Sequence, residues 1–185
     1  QGACMEKFYE CDIAGRSEKL PIIQLPTGVS IAFFNLHGNQ ELTEYCGKEI
    51  AKRIAEFTPE IVITAESKGL QLAHVVAREL RQPLYAVARK SQKLYMVDGI
   101  QYTVSSITTR GEQTLYLSKH DVELIKGKRV AIVDDVISTG GSLSGLEKLV
   151  EMSGGKTVIK ATVLAEGNAS NRNDIVFLGT IPLFD

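Results

Sequence analysis

The sequence predicts an α/β fold: a mainly parallel sheet flanked by helices, with a small N-terminal hood and a long polar loop. Two observations carry this expectation. Short apolar runs alternate with helical patterns from Gln40 onward, and alternation of that kind builds a parallel sheet covered on both faces. One of those runs, VAIVDDVISTGGS at 130–142, ends in two aspartates and a glycine-containing turn. Binding loops lie at the carboxyl ends of strands in such sheets.

The elements follow in order. Residues 5–36 read as strands and turns, a hood before the first long helix. Leu42, Tyr45, Cys46, Ile50, Ile54 and Phe57 fall at helical spacing, so 40–57 is predicted helical, ending before Pro59. IVITA (61–65) is a buried strand, 70–80 a helix and LYAVA (84–88) a strand that begins after Pro83. Residues 91–117 are polar, contain Gly99 and Gly111, and alternate weakly through Tyr102, Val104 and Ile107; they read as a long hairpin or flap. A strand over 129–133, a helix over 142–152 closed by Gly154 and Gly155, and strands over 157–164 and 175–178 complete the pattern. Residues 1–185 are read as one domain.

Composition narrows the function. Lys plus Arg number 21 and Asp plus Glu 22, a net charge of −1, which argues against a general nucleic-acid or membrane-surface binder. No apolar run approaches the roughly 20 residues that cross a bilayer, and the start of the chain lacks a secretory-signal pattern. Cys4, Cys11 and Cys46 have no metal-ligand spacing, and three is an odd number, so a reduced, cytoplasmic protein is expected. His37, His74 and His120 share no ligand spacing.

The stretch 130–142 asks for a specific ligand. Gly140 and Gly141 allow positive φ and close backbone approach. The amides of such a turn, with a helix start behind them, cradle an anion, and Ser138, Thr139 and Ser142 add hydroxyls. Asp134 and Asp135 would repel a phosphate unless they served hydroxyls or a Mg²⁺ ion. A ribose 5-phosphate meets these demands. GGKT at 154–157 echoes a nucleotide P-loop, but Val150 stands where that motif needs glycine, and the helix-to-strand order is reversed.

VAIVDDVISTGGS resembles the phosphoribosyl-pyrophosphate (PRPP) motif of type I phosphoribosyltransferases, and the chain from about residue 40 onward is similar to that family's purine branch. The resemblance implies the type I fold, with a hood over the base (5–36) and a flexible catalytic loop (91–117). It implies transfer of ribose 5-phosphate from PRPP to a purine, with Mg²⁺ as cofactor, in a homodimer. AESKG (65–69) then matches the pyrophosphate loop through Ser67, Lys68 and Gly69, where purine relatives often carry arginine in the slot of Lys68. ARKSQK (88–93) resembles the basic segment of adenine phosphoribosyltransferases: Arg89 and Lys90 are assigned to the diphosphate, and Lys93, with Asp134 and Asp135, to catalysis. Ser138, Thr139, Gly140, Gly141 and Ser142 take the 5-phosphate.

IAFFNLHG (31–38) falls where the family reads its base. Phe34, Asn35 and Val136 are the base-side candidates, with Phe33 an alternative to Phe34; equally, both phenylalanines are core and Asn35 a turn residue. Residues 166–168 form a second base-side element. The glutamate that familiar adenine enzymes carry in the catalytic loop falls near Thr109 here, and Glu112 is not equivalent to it, so the acid–base group stays open. The basic segment favours adenine. ESKG and the long loop also resemble xanthine phosphoribosyltransferases and a purine repressor, which leaves a 6-oxopurine enzyme or a non-catalytic PRPP sensor as alternatives. A repressor would carry a DNA-binding module and a basic face; about 35 residues precede the first long helix, and the net charge is −1.

Overall fold

The computed structural model describes residues 7–105 and 111–184. Cys4 and Thr109 lie outside them. The hood is an antiparallel sheet of β1 (Phe8–Ile13), β2 (Arg16–Gln24) and β3 (Ser30–Ala32). Ala14 and Gly15, at φ 50° and 89°, make the β1–β2 turn, and the Gly15 amide donates to Asp12 Oδ1 at 3.0 Å. That turn is tied to the main body: the Ala14 amide donates to Leu178 O at 3.0 Å, and the Tyr45 hydroxyl to Ala14 O at 2.6 Å.

Five strands form the central sheet, all parallel: β4 (Ile61–Ala65), β5 (Ala86–Ala88), β8 (Arg129–Ile137), β9 (Lys156–Glu166) and β10 (Ile175–Ile181), in the order β10-β9-β8-β4-β5. Helices α1 (Gln40–Ile54) and α2 (Leu70–Glu79) cover one face and share a core with the hood through Ile13, Phe34, Ile50 and Val76. On the other face α3 (Lys119–Ile125) and α4 (Gly141–Met152) pack with the antiparallel hairpin of β6 (Ile100–Ser105) and β7 (Glu112–Leu117). Alternate β8 residues serve the two faces: Ala131 and Val133 join the first core, Val130 and Ile132 the second. Burial on both sides is why these strands read as unbroken apolar runs.

Three departures from expectation have physical causes. Strand β8 runs four residues past 133, because Asp134, Val136 and Ile137 continue to pair with β9. The two aspartates therefore sit within the strand. Strand β5 is only three residues, since Leu84 is exposed and the chain enters the sheet at Ala86. In segment 91–117, β6 and β7 pair as a hairpin over six positions, and Leu115 and Leu117 are buried. Helix α3 was not legible from apolar periodicity because Ile125 is its one buried residue; its signal was the cap, where Ser118 Oγ accepts from the Asp121 amide at 3.2 Å.

Candidate active site

The chain leaves β4 toward β5 in one direction and β8 toward β9 and β10 in the other, so the order of strands reverses between β4 and β8. Ligands bind in the crevice at such a switch point. Pairing between the two strands stops at Ile63 and Ile132, and beyond it the strand ends part.

On one side is the turn after β8. Residues 136–143 wall a cavity of about 190 Å³ that includes all five phosphate-loop candidates, Ser138 to Ser142. Gly140, at φ 85°, takes the left-handed conformation that starts α4, and no side chain caps the helix there. The first-turn amides of α4 therefore face the cavity without a side-chain acceptor, which suits a bound anion.

Asp134 and Asp135 stand next to it, 8% and 7% exposed. Each has one oxygen fixed by backbone: Asp134 Oδ1 accepts from the Asp135 amide and Asp135 Oδ1 from the Val136 amide, both at 2.8 Å. Burial, with the Asp135 carboxylate beside it, holds the Asp134 carboxyl well above its ordinary range. Strand alternation sends the two to different sides. Asp134 faces the turn after β4, and Asp135 faces the hood.

That turn after β4 holds Glu66, Ser67, Lys68 and Gly69, with Ser67 and Lys68 exposed. Gly69 is buried so closely on Asp134 and the Thr64 hydroxyl that a Cβ there would collide with Thr64 Oγ1 and lie 3.2 Å from Asp134 Oδ1. Gly69 also begins α2 without a side-chain cap, giving a second anion-ready helix start. The structure thus brings the two loops together across Asp134.

The basic segment is arranged differently from expectation. Arg89 Nε donates to Glu66 Oε2 at 2.8 Å and its NH1 to the Tyr95 hydroxyl at 3.0 Å, while the Lys90 amide donates to Glu66 Oε1 at 2.7 Å. Arg89 is thus paired with Glu66, the residue directly before Ser67 and Lys68. Burial pushes the Glu66 carboxyl up, but the Lys90 amide and Arg89 outweigh it and hold it below the ordinary range. Lys93 lies apart from the aspartates, with Gln92, Leu94, Met96 and Val97 around a separate cavity. The sequence reading passed over Glu66, whose signal was its place directly before the loop.

The hood closes the other side. Ile31, Phe33, Lys68, Asp135, Val136 and Glu166 are among the residues around a cavity of about 190 Å³. Phe33 is half-buried there; Phe34 touches it but is 5% exposed and belongs to the core. Asn35 is outside that cavity, and its Oδ1 accepts from the His37 amide at 3.0 Å, a turn role. Val136 lines the cavity as expected, and Glu166 joins it from the end of β9. A larger cavity, about 480 Å³, lies between the starts of α1 and α2, but no lysine or arginine lines it, so it is unsuited to a phosphorylated ligand.

Residues 35–179 match the phosphoribosyl transferase domain family. The chain belongs to this family. It is 29% identical over 120 residues to the adenine phosphoribosyltransferase of Petrotoga mobilis, covering 65% of this chain and 66% of that one. It is 29% identical over 149 residues to the xanthine phosphoribosyltransferase of an Exiguobacterium species, covering 80% and 76%. Among solved structures, an adenine phosphoribosyltransferase from Thermoanaerobacter pseudethanolicus shares the fold, with a TM-score of 0.71 at 21% identity over 88% of this chain and 94% of that one. The parallel five-stranded sheet flanked by helices is thus the family's fold.

Proposed function

We propose that the protein transfers ribose 5-phosphate from PRPP to a purine, adenine foremost, giving a nucleoside monophosphate and pyrophosphate. One observation carries the reading: two uncapped helix starts, each behind an anion-ready turn, open on the same crevice with two buried carboxylates between them. That is the charge pattern of a sugar bearing a phosphate at one end and a diphosphate at the other.

The turn at 138–142 holds the 5-phosphate. Asp134 and Asp135 accept from the ribose hydroxyls through the oxygens their backbone bonds leave free. Ser67, Lys68 and the Gly69 amide receive the diphosphate, with Lys90 following on from β5, its amide on Glu66 at the head of the same loop. The bond from ribose C1 to the diphosphate oxygen breaks, its electron pair leaving with pyrophosphate. A purine ring nitrogen forms the new bond to C1, and its proton passes to solvent. Positive charge grows on the ribose ring meanwhile, and fixed carboxylates nearby stabilise it. Among the described residues no group of three metal-ligating side chains exists. Two carboxylates do suit Mg²⁺, which binds through one or two carboxylates plus substrate phosphates. Mg²⁺ would neutralise the departing diphosphate.

The base lies between Phe33 and Val136, with Glu166 at its edge. A carboxylate only accepts hydrogen bonds, so Glu166 suits an exocyclic amino group. A 6-oxopurine is the second reading, favoured by the Exiguobacterium relative. A homodimer is also inferred, with Leu94, Tyr95 and Val97 (100%, 68% and 80% exposed) as the apolar face for the second copy. The cytoplasm is the expected compartment: Cys11 and Cys46 are unpaired, and burial pushes their thiols up to about 11 and about 12.

The test is pyrophosphate release with PRPP and Mg²⁺, offering adenine, hypoxanthine, guanine and xanthine separately. Adenine is expected to react fastest. If no base reacts while PRPP binds by calorimetry, the catalytic reading fails.

A further inference from the structure

The short turn Gly167–Asn171 that leaves β9 ends at Arg172, a residue with no assigned role. Because β9 lies beside β8, this turn meets the phosphate loop from the side away from β4. A Cβ on Gly140 would lie 3.0 Å from Arg172 NH1, so the guanidinium rests on the loop's left-handed glycine.

Its orientation is fixed from behind. Arg172 Nε donates to Asp174 Oδ1 at 2.9 Å and NH2 to Asp174 Oδ2 at 2.7 Å, a two-point fork. Lys160 Nζ, with its side chain 13% exposed, donates to Asp174 Oδ2 at 3.0 Å and to Glu147 Oε2 at 3.3 Å. Glu147 lies on α4, the helix that the loop begins. Two cations and two carboxylates thus balance in the cluster, and the fork leaves one edge of Arg172 unused. NH1 donates to no acceptor among the described residues. That edge is the one against Gly140.

We propose that Arg172 is a positioning residue for the 5-phosphate. Clamped by Asp174, it holds Gly140 in its left-handed conformation and turns a charged N–H edge toward the phosphate loop. This rests on the reading that residues 138–142 bind a phosphate. It predicts an effect confined to one end of the substrate, because Lys68 and Gly69 hold the other end across the crevice.

The experiment measures calorimetric affinity for ribose 5-phosphate and for pyrophosphate separately, with steady-state constants for PRPP. Arg172→Gln should weaken ribose 5-phosphate and raise the KM for PRPP by about tenfold each. Pyrophosphate affinity and kcat should stay within about twofold. Arg172→Lys, which keeps the charge but not the fork, should recover part of the loss. Unchanged ribose 5-phosphate affinity in Arg172→Gln would overturn the proposal, as would an equal loss for pyrophosphate. If Arg172→Gln does not fold, Asp174→Asn carries the test. It keeps the arginine but releases the clamp, and should weaken ribose 5-phosphate by about threefold, where no change overturns the proposal. Failure of the unmodified protein to bind ribose 5-phosphate at all would instead remove the phosphate-loop reading and this inference together.

Discussion

Replacing Asp134 with Asn should make the protein more stable and less active at once. The carboxyl is almost fully buried, and burial with Asp135 alongside raises its affinity for a proton above the ordinary Asp value of 3.8. A group that holds its proton more tightly when folded takes up protons on folding, so stability falls as pH rises from about 4 through the raised value. Asn is neutral throughout, and its Oδ1 can still accept from the Asp135 amide, the bond seen at 2.8 Å. Each unit of upward shift corresponds to about 1.4 kcal/mol. A gain on the order of 1–3 kcal/mol near pH 8 follows, or roughly 3–10 °C in Tm for a chain of this size. Catalysis should fall by about a hundredfold, because the oxygen left free for the ribose hydroxyls is replaced by an NH2 that cannot accept a hydrogen bond. The assay is thermal unfolding of both proteins from pH 4 to 8, with pyrophosphate release at pH 8. The stability difference should be near zero at pH 4 and widen with pH. A variant that is less stable at every pH would refute the reasoning and make Asp134 a structural residue.

Other consequences follow from the same geometry. Gly69→Ala forces a methyl against Thr64 Oγ1 and Asp134; it should cost about 1–3 kcal/mol in denaturant unfolding and weaken pyrophosphate binding. Glu66→Gln removes the charge that holds Arg89, and the KM for PRPP should change by roughly fivefold or less, read by initial rates. Phe34→Ala should cost about 3–5 kcal/mol in unfolding with little effect on the KM for the base. Phe33→Ala should do the reverse, and equal stability losses for the two would contradict their placement.

Much was legible in the residues alone. The alternation of apolar runs with amphipathic helices identified the sheet because a strand buried on both faces is mostly apolar: all five residues of β4 are buried, and Thr64 is its single polar one. The turn at 138–142 was legible for a local reason: glycine at 140 permits the positive φ that the turn needs, and the helix start follows directly in the chain. Side-chain partners were not legible in this way. Whether Phe33 or Phe34 faces the cavity is decided just past the end of β3, where no periodic pattern reveals it. Arg89 meets Glu66 across 23 residues of sequence, Gly69 meets Asp134 across 65, and Gly140 meets Arg172 across 32. Those meetings depend on the order β9-β8-β4-β5, which brings separate strand ends to one crevice. Local sequence encodes each loop's own conformation, whereas strand order determines which loops face one another and which charges are already paired when a ligand arrives.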